Sequence, residues 1–521
     1  MIINIFLGLI VASFVSMMFQ GVRFQKTFTI FFSLIMISGV FLLWHAWHLP
    51  IIDNYSFKWL TSKYYPVNID FFSNQSNYSI IAPLFLVAIL SAVFLIWDKF
   101  ERQKIYICSL IAFHLALLIM MICSQNTIQI LVSACFIDVL GFCVINNIAA
   151  RRQYIFYNLL ADMALFMGFA MLWGACNTNA LAKLKYCISP TNNFALWLIT
   201  ISSFVKMGMF PFQGYFMRVA DLTESRKNIL CFLSTPISGF FILYKTIFLF
   251  PNDSNINTII KIIAISTICW GLVGNIFIKK LQNKKLYFNL ILYGLLCGSI
   301  IQNSEIPLAI GLLFVLHFLQ NNWANYTRHF FVLIWILAIA HIYNIILASE
   351  MLELDIIILC YQIAMILSFG CFIPQLYSEG KEDISLPKIL ISSVCMLSIL
   401  YYQFDFYKEI LYWLSCYLIL VLIRPCRLLN KVYGISSIQS ADYFSGLFYI
   451  CIVAPIQFLG RVLWLTIDFL IIERTFLSSL AKSNLLIIKL NNYLSATKIK
   501  NIFIEIIIIF IIVIGCFYWK K

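Results

Sequence analysis

The chain has 521 residues, 62% of them hydrophobic and only 11% charged, and its mean hydropathy is +0.92. A soluble domain carries about 25% charged residues, so these charges are too few to cover a water-soluble globule, and the chain is far too apolar for disorder. A lipid bilayer suits the composition, and in that setting the net charge of +14 reads as Lys and Arg gathered in cytoplasmic loops rather than as a nucleic-acid surface.

The first apolar run, Ile2 to Phe19, has no basic leader and no small-residue cleavage site, so it reads as a first span rather than a signal peptide. A crossing helix needs roughly 20 mostly apolar residues. Runs of that kind follow at 27–46, 78–97, 105–123, 126–146, 154–174, 194–212, 228–250, 257–278, 286–303, 306–322, 329–348, 353–375, 386–403, 407–423 and 500–518. The expected fold is therefore an all-α polytopic membrane protein with about 16 transmembrane helices. From 434 to 499 the pattern changes, because Arg461, Asp468, Glu473 and Arg474 interrupt the apolar stretches. This segment reads either as two more spans or as a lateral amphipathic helix.

With the N-terminus outside, the loops assigned to the inside carry 20 Lys and Arg, among them Lys104, Arg226, Lys227, Lys284 and Lys285, and the outside loops carry 5. That bias supports the span count and an N-out orientation.

Ionisable residues inside a membrane are costly, so each is a functional candidate. Asp138 sits mid-span and Asp162 is placed near the inner end of its span. Lys206 precedes Gly208 and Pro211, which break the helix and free backbone carbonyls that can hold water. Lys245 is near a span end and Glu505 lies in the last span; both read as structural or partner contacts. His45 and His48 stand beside Trp44 and Trp47 at an interface, and His114 and His341 read as core residues. His317 precedes the polar run Gln320-Asn321-Asn322. The 16 Cys form no Cys-x-x-Cys pair, and no phosphate-binding loop or paired catalytic carboxylates appear. No metal site, cofactor or catalytic centre is expected within the chain.

Three segments carry a resemblance: Asn126–Ile145 followed by Tyr157-Asn158-x-x-Ala161-Asp162; Lys206–Lys245 (KMGMFPFQGYFMRVADLTESRKNILCFLSTPISGFFILYK); and Phe458–Tyr493 before a final hydrophobic run. They resemble the antiporter-like subunits shared by respiratory complex I and the Mrp cation/proton antiporters, and are most similar to the large complex I subunit that ends in a lateral helix. That family carries protons along a line of charged residues at mid-membrane. The resemblance implies a relay of Asp138, Asp162, Lys206, Lys285 (or its neighbour Lys284) and His317. Several positions depart from the pattern. The fifth-helix glutamate falls on Cys135, with Asp138 three residues later on the same face. The eighth-helix histidine falls on Cys231. Later relay lysines fall on Asn321 and Glu350, and the broken-helix histidine and tryptophan become Gln213 and Tyr215.

The resemblance further implies two inverted five-helix repeats. The domains expected are N-terminal helices at 1–103, repeats at 104–250 and 251–375, two helices at 376–433, the lateral segment at 434–499 and an anchor helix at 500–521. The function expected is that of a proton- or cation-translocating subunit of a complex I-like or Mrp-type assembly with a degraded relay. Two alternatives stay open: a non-conducting structural subunit, or the membrane partner of a bicarbonate-uptake system. Any enzymatic role would come only as part of a proton-pumping NADH-quinone oxidoreductase. The expected partners are other membrane subunits and lipid, without nucleic acid. The expected location is a bacterial-type inner membrane, or the mitochondrial inner membrane.

Overall fold

The computed structural model describes residues 2–18, 28–30, 32–37, 39, 54–60, 67–72, 75–98, 101–187, 193–249, 254–277, 281–302, 314–315, 317–319, 322 and 360. The chain divides into two compact units, Met1–Ser445 and Gly446–Lys521, and the described residues all belong to the first. The expected spans from 329 onward, the segment 434–499, and His45, His48, Asn321, His329, His341, Glu350 and Glu505 lie outside the described residues.

The elements in chain order begin with α1 (Ile2–Met18), a hairpin of β1 (Asn54–Leu60) and β2 (Val67–Phe72), α2 (Gln75–Trp97) and α3 (Lys104–Ile122). They continue with α4 (Thr127–Val144), α5 (Ile148–Cys176), α6 (Leu181–Cys187), α7 (Asn193–Met207) and α8 (Gly214–Met217). After these come α9 (Glu224–Phe232), α10 (Thr235–Thr246), α11 (Ser254–Phe277) and α12 (Leu281–Gln302). Among the described residues, five helical stretches are long and apolar enough to cross a membrane: Lys104–Ile122, Thr127–Val144, Ile148–Cys176, Glu224–Thr246 and Ile256–Asn275.

The helix α3 is apolar on every side, as a helix surrounded by others must be. Every residue except Tyr106 and Phe113 is buried, and α1, α2, α4 and α10 pack around it. By contrast α5 keeps Ile155, Leu159, Met163, Phe166 and Met167 exposed along one side, while its other side packs on α7. The neighbours α11 and α12 approach closely because glycines face backbone. A Cβ on Gly271 would come within 2.9 Å of the Tyr287 carbonyl, and one on Gly294 within 2.8 Å of the Ala264 carbonyl. Close approach through small residues is how helices associate in lipid.

Three expectations need amendment. First, the fold is not purely helical, because β1 and β2 pair antiparallel, with Phe57 opposite Ile69 and a bulge between Lys58 and Leu60. The alternation in Val67–Phe72 carries the strand signal. The hairpin is docked on the start of α4: Asn126 Nδ2 donates to Asp70 Oδ2 at 3.2 Å, the Asp70 N–H donates to Gln129 Oε1 at 2.8 Å, and Gln129 Nε2 donates to the Asp70 carbonyl at 3.0 Å.

Second, the run 228–250 is interrupted. It forms α9 and α10, with a break at Leu233–Ser234 and Pro236 in the first turn of α10. Proline has no N–H to continue a helix, but it is well suited to start one. Third, Lys104, Arg226, Lys227, Lys284 and Lys285 are buried rather than loop charges. Lys104 Nζ donates to the Ile96 carbonyl at 2.8 Å. Arg226 makes a two-pronged bond to Glu101, with Nε to Oε2 at 2.7 Å and Nη2 to Oε1 at 3.1 Å. Its Nη1 also donates to the Val144 carbonyl at 2.8 Å and to Asn146 Oδ1 at 2.7 Å. This clasp holds the α2–α3 loop, the end of α4 and the start of α9 together. Burial by itself raises the Glu101 carboxyl, and the Arg226 guanidinium outweighs it, so the group sits below its usual value.

Candidate functional site

The site begins with the end of α7. Gly208 adopts φ +63°, a left-handed conformation that β-carbon sterics deny to most residues, and the Phe210–Pro211 bond is cis. The helix therefore stops at Met207, with Lys206 in its last turn. A cation there is favoured by the negative end of the helix. The Tyr215 hydroxyl of α8 donates to the Lys206 carbonyl at 2.6 Å, supplying a partner that the broken helix no longer offers. On the opposite side α10 approaches through Gly239, where a Cβ would come within 2.9 Å of Lys206 Cβ and 2.8 Å of the Ser203 carbonyl.

Lys206 is fully buried, with a side chain 0% exposed, and its ammonium bridges two carboxylates. It is bonded to Asp138 Oδ2 of α4 and lies 2.6 Å from Asp162 Oδ1 of α5. Asp138 is 8% and Asp162 19% exposed. Lys206 is thus an ion-paired cation rather than an isolated desolvated amine. Asp162 stands near the middle of α5, not towards one end, because Asn147 caps that helix and starts it at Ile148. Cys135, which stands where the family has its glutamate, is within electrostatic reach of Asp138, Asp162 and Lys206.

Polar groups continue past this cluster. The Tyr154 hydroxyl and Ser234 Oγ both press on Gly141, one turn beyond Asp138. Among the described residues neither atom has a hydrogen-bond partner, and Asp138 Oδ1 has none either. Buried groups of this kind are the ones that ordered water satisfies. Tyr154 stacks edge-on against Tyr215, with ring centroids 5.8 Å apart.

Lys285 and His317 sit elsewhere. Lys285 Nζ is 3.4 Å from Glu224 Oε2, and Lys227 Nζ is 3.3 Å from Glu224 Oε1. His317 Nε2 is 3.1 Å from Asn289 Oδ1, and its ring stacks on Phe288 at 4.4 Å. Asn289 lies one turn along α12 from Lys285, and one turn further the Tyr293 hydroxyl donates to the Cys231 carbonyl at 2.6 Å. Lys284 is also buried. The structure thus gathers Asp138, Asp162 and Lys206 into one cluster and places Lys285 in a second. Sequence reasoning missed Glu224 and assigned Lys227 to an inside loop. Their three-residue spacing ahead of an apolar run is the signal that marks one helix face. His114 is a core histidine, as expected, with Nδ1 2.8 Å from the Leu110 carbonyl. Among the described residues no group of His, Cys, Asp and Glu has the arrangement of a metal site.

Residues 118–284, which contain all three members of the first cluster, match the family model described as NADH:quinone oxidoreductase/Mrp antiporter, TM. Over these residues the chain is similar to the antiporter-like subunits. No curated protein sequence matches it. A chain in the structure of the Mrp complex from Dietzia sp. DQ12-45-1b aligns with a TM-score of 0.69 at 11% identity, over 88% of this chain and 60% of that one. The chain therefore spans about 60% of the length of that relative. A chain of the membrane-bound sulfane sulfur reductase, an archaeal respiratory membrane complex, aligns with a TM-score of 0.63 at 14% identity, over 79% of this chain and 99% of that one. At these identities the likeness is one of fold. The chain is an integral membrane protein, and membership of multisubunit assemblies is common to both neighbours.

Proposed function

We propose that this antiporter-like chain translocates protons or cations as a subunit of an Mrp-type or complex I-like membrane assembly. The observation that carries the reading is the Lys206 ammonium held between Asp138 and Asp162 at the end of a broken helix. If all three groups are ionised, the cluster bears one net negative charge in a buried site. Such a charge is costly, and it is relieved when one aspartate takes up a proton or a cation binds. The pair of carboxylates then titrates as a unit with the lysine, not residue by residue. A merely structural subunit has little use for three ionised side chains here, because apolar residues hold helices together at lower cost.

Asp138 supplies the carboxylate that Cys135 lacks, one turn away on the same helix face. The remaining expectations belong to the same reading: an N-out orientation, about 16 spans, two inverted repeats, a lateral helix at 434–499 and an inner-membrane location. The test is proton or cation flux in everted membrane vesicles that contain the chain with its partner subunits. Lys206→Ala should abolish most of the flux at matched protein levels. Unchanged flux in that variant would favour the structural-subunit reading.

A further inference from the structure

Asp138 engages the lysine through one of its two oxygens. Oδ2 is bonded to Lys206, and Oδ1 has no hydrogen-bond partner among the described residues. Two hydroxyls from other elements share that condition. Tyr154 of α5 is 1% exposed and Ser234, at the α9–α10 break, is 0% exposed, and neither hydroxyl oxygen has a partner in hydrogen-bond geometry among the described residues. A buried tyrosine hydroxyl usually finds one. Ser234 is unusual in a second way. It caps the start of α10, where a serine side chain commonly bonds a first-turn N–H, and it makes no such bond.

The three oxygens are neighbours. The Tyr154 hydroxyl lies against the point where a Cβ on Gly141 would stand, and Ser234 Oγ is 2.9 Å from the same point. Only a residue without a side chain lets α5 and the α9–α10 break bring their hydroxyls together there. Gly141 is one turn beyond Asp138 on α4, on the side of the Val144 carbonyl that Arg226 holds. The Tyr154 hydroxyl is also within electrostatic reach of Asp138 and stands beside Ser234 and Thr235.

Three buried polar atoms without partners are costly, and a buried water makes about three hydrogen bonds to groups of this kind. We infer that Asp138 Oδ1, Tyr154 Oη and Ser234 Oγ bind one water, and that the two hydroxyls are positioning residues that hold it as the carrier of the proton to and from Asp138. This inference rests on the translocation reading. The hydrogen-bond roles match. The Tyr154 O–H donates to the water, the water donates to Asp138 Oδ1, and Ser234 Oγ accepts or donates to complete the set. An alkali cation would have to stay beside the Lys206 ammonium, which repels it, whereas a water is neutral. The step balances. When an excess proton arrives as hydronium, one of its O–H bonds breaks as an O–H bond forms on Asp138 Oδ1, which leaves a neutral water and a neutral aspartic acid. Release reverses the step, and Tyr154 and Ser234 keep their own protons throughout.

Two variants of the full chain, in vesicles with its partner subunits, test the assignment. Tyr154→Phe removes one hydroxyl and keeps the ring against Tyr215, and Ser234→Ala removes the other. Each should lower proton flux about tenfold at matched protein levels, the effect of one lost hydrogen bond. Wild-type flux in either variant overturns the positioning role. Thermal unfolding in detergent gives a readout that does not depend on transport. A hydroxyl buried with no partner at all is a cost, so removing it would raise the melting temperature. A hydroxyl satisfied by water gives no such gain, so the melting temperature of Tyr154→Phe should stay level or fall, and a rise overturns the bound water. A loss confined to flux that requires sodium ions would place a cation on these oxygens and overturn it as well. Loss of flux in Lys206→Ala alongside wild-type flux in both hydroxyl variants would sink this inference and leave the translocation reading standing. A wild-type chain without flux would sink the translocation reading and the carrier role with it, while the melting temperature would still decide the bound water.

Discussion

Lys206 on α7 and Asp162 on α5 stand 2.6 Å apart, although the two residues come from helices that also pack along their length. The same ammonium is bonded to Asp138 on α4, so a single lysine closes a three-helix junction. This arrangement makes the two aspartates unequal. Asp138 is the more deeply buried of the two, at 8% exposed against 19%. The Asp138→Asn variant should therefore cost more flux than Asp162→Asn. The comparison is made in vesicles at matched protein levels, and equal losses would show that the two carboxylates are interchangeable.

Gly239 sets how closely α10 approaches the lysine. A Cβ there would meet the Ser203 carbonyl at 2.8 Å and Lys206 Cβ at 2.9 Å, and backbone does not yield as a flexible side chain does. Gly239→Val is expected to push α10 away and to cost about 1–3 kcal/mol of stability, the usual cost of overpacking. The drop in unfolding temperature in detergent measures it, and flux should fall with the displaced lysine. An unchanged melting temperature would count against the tight packing.

Tyr215→Phe removes one hydroxyl and leaves the ring in place. The Lys206 carbonyl then loses its 2.6 Å partner inside a buried helix break. A buried acceptor left without a donor costs about 1–3 kcal/mol. Thermal unfolding should show that loss, while flux falls only modestly, because the lysine ammonium and both aspartates are untouched. Loss of flux as large as that of Lys206→Ala would give the hydroxyl a direct part in transfer.

The Glu101–Arg226 clasp predicts a pH dependence. Arg226 holds the Glu101 carboxyl below its usual value of 4.5, against the effect of burial. A carboxyl depressed in the folded protein contributes stability that is present above the unfolded value and lost as pH falls through the folded one. Wild-type stability should therefore decline below about pH 4.5, and Glu101→Gln should flatten that decline. The same variant leaves Arg226 buried without its counter-charge, which costs about 3–5 kcal/mol at neutral pH. Chemical denaturation across pH reads both effects, and an unchanged pH profile in the variant would remove Glu101 from the account.

Composition alone determined that the chain belongs in a bilayer, because so few charges can only be accommodated where water is absent. The break after Lys206 was also legible, since Gly208 and Pro211 act on the backbone locally, whatever lies around them. Asp138, Asp162 and Lys206 could be singled out because an ionisable residue within an apolar run is conspicuous. The hairpin was missed: its strands are short, and what fixes them is the contact of Asp70 with Asn126 and Gln129. Only the tertiary structure decided which charges face one another. Lys206 and Asp138 are 68 residues apart in the chain, and no periodicity reaches that far. The same holds for Glu224 and Lys285. A row of Lys and Arg near a span end looks like an exposed loop until a carboxylate from another helix, or one turn back on the same helix, draws it inside. Burial of a charge depends on its partner, and the partner is chosen by helix packing.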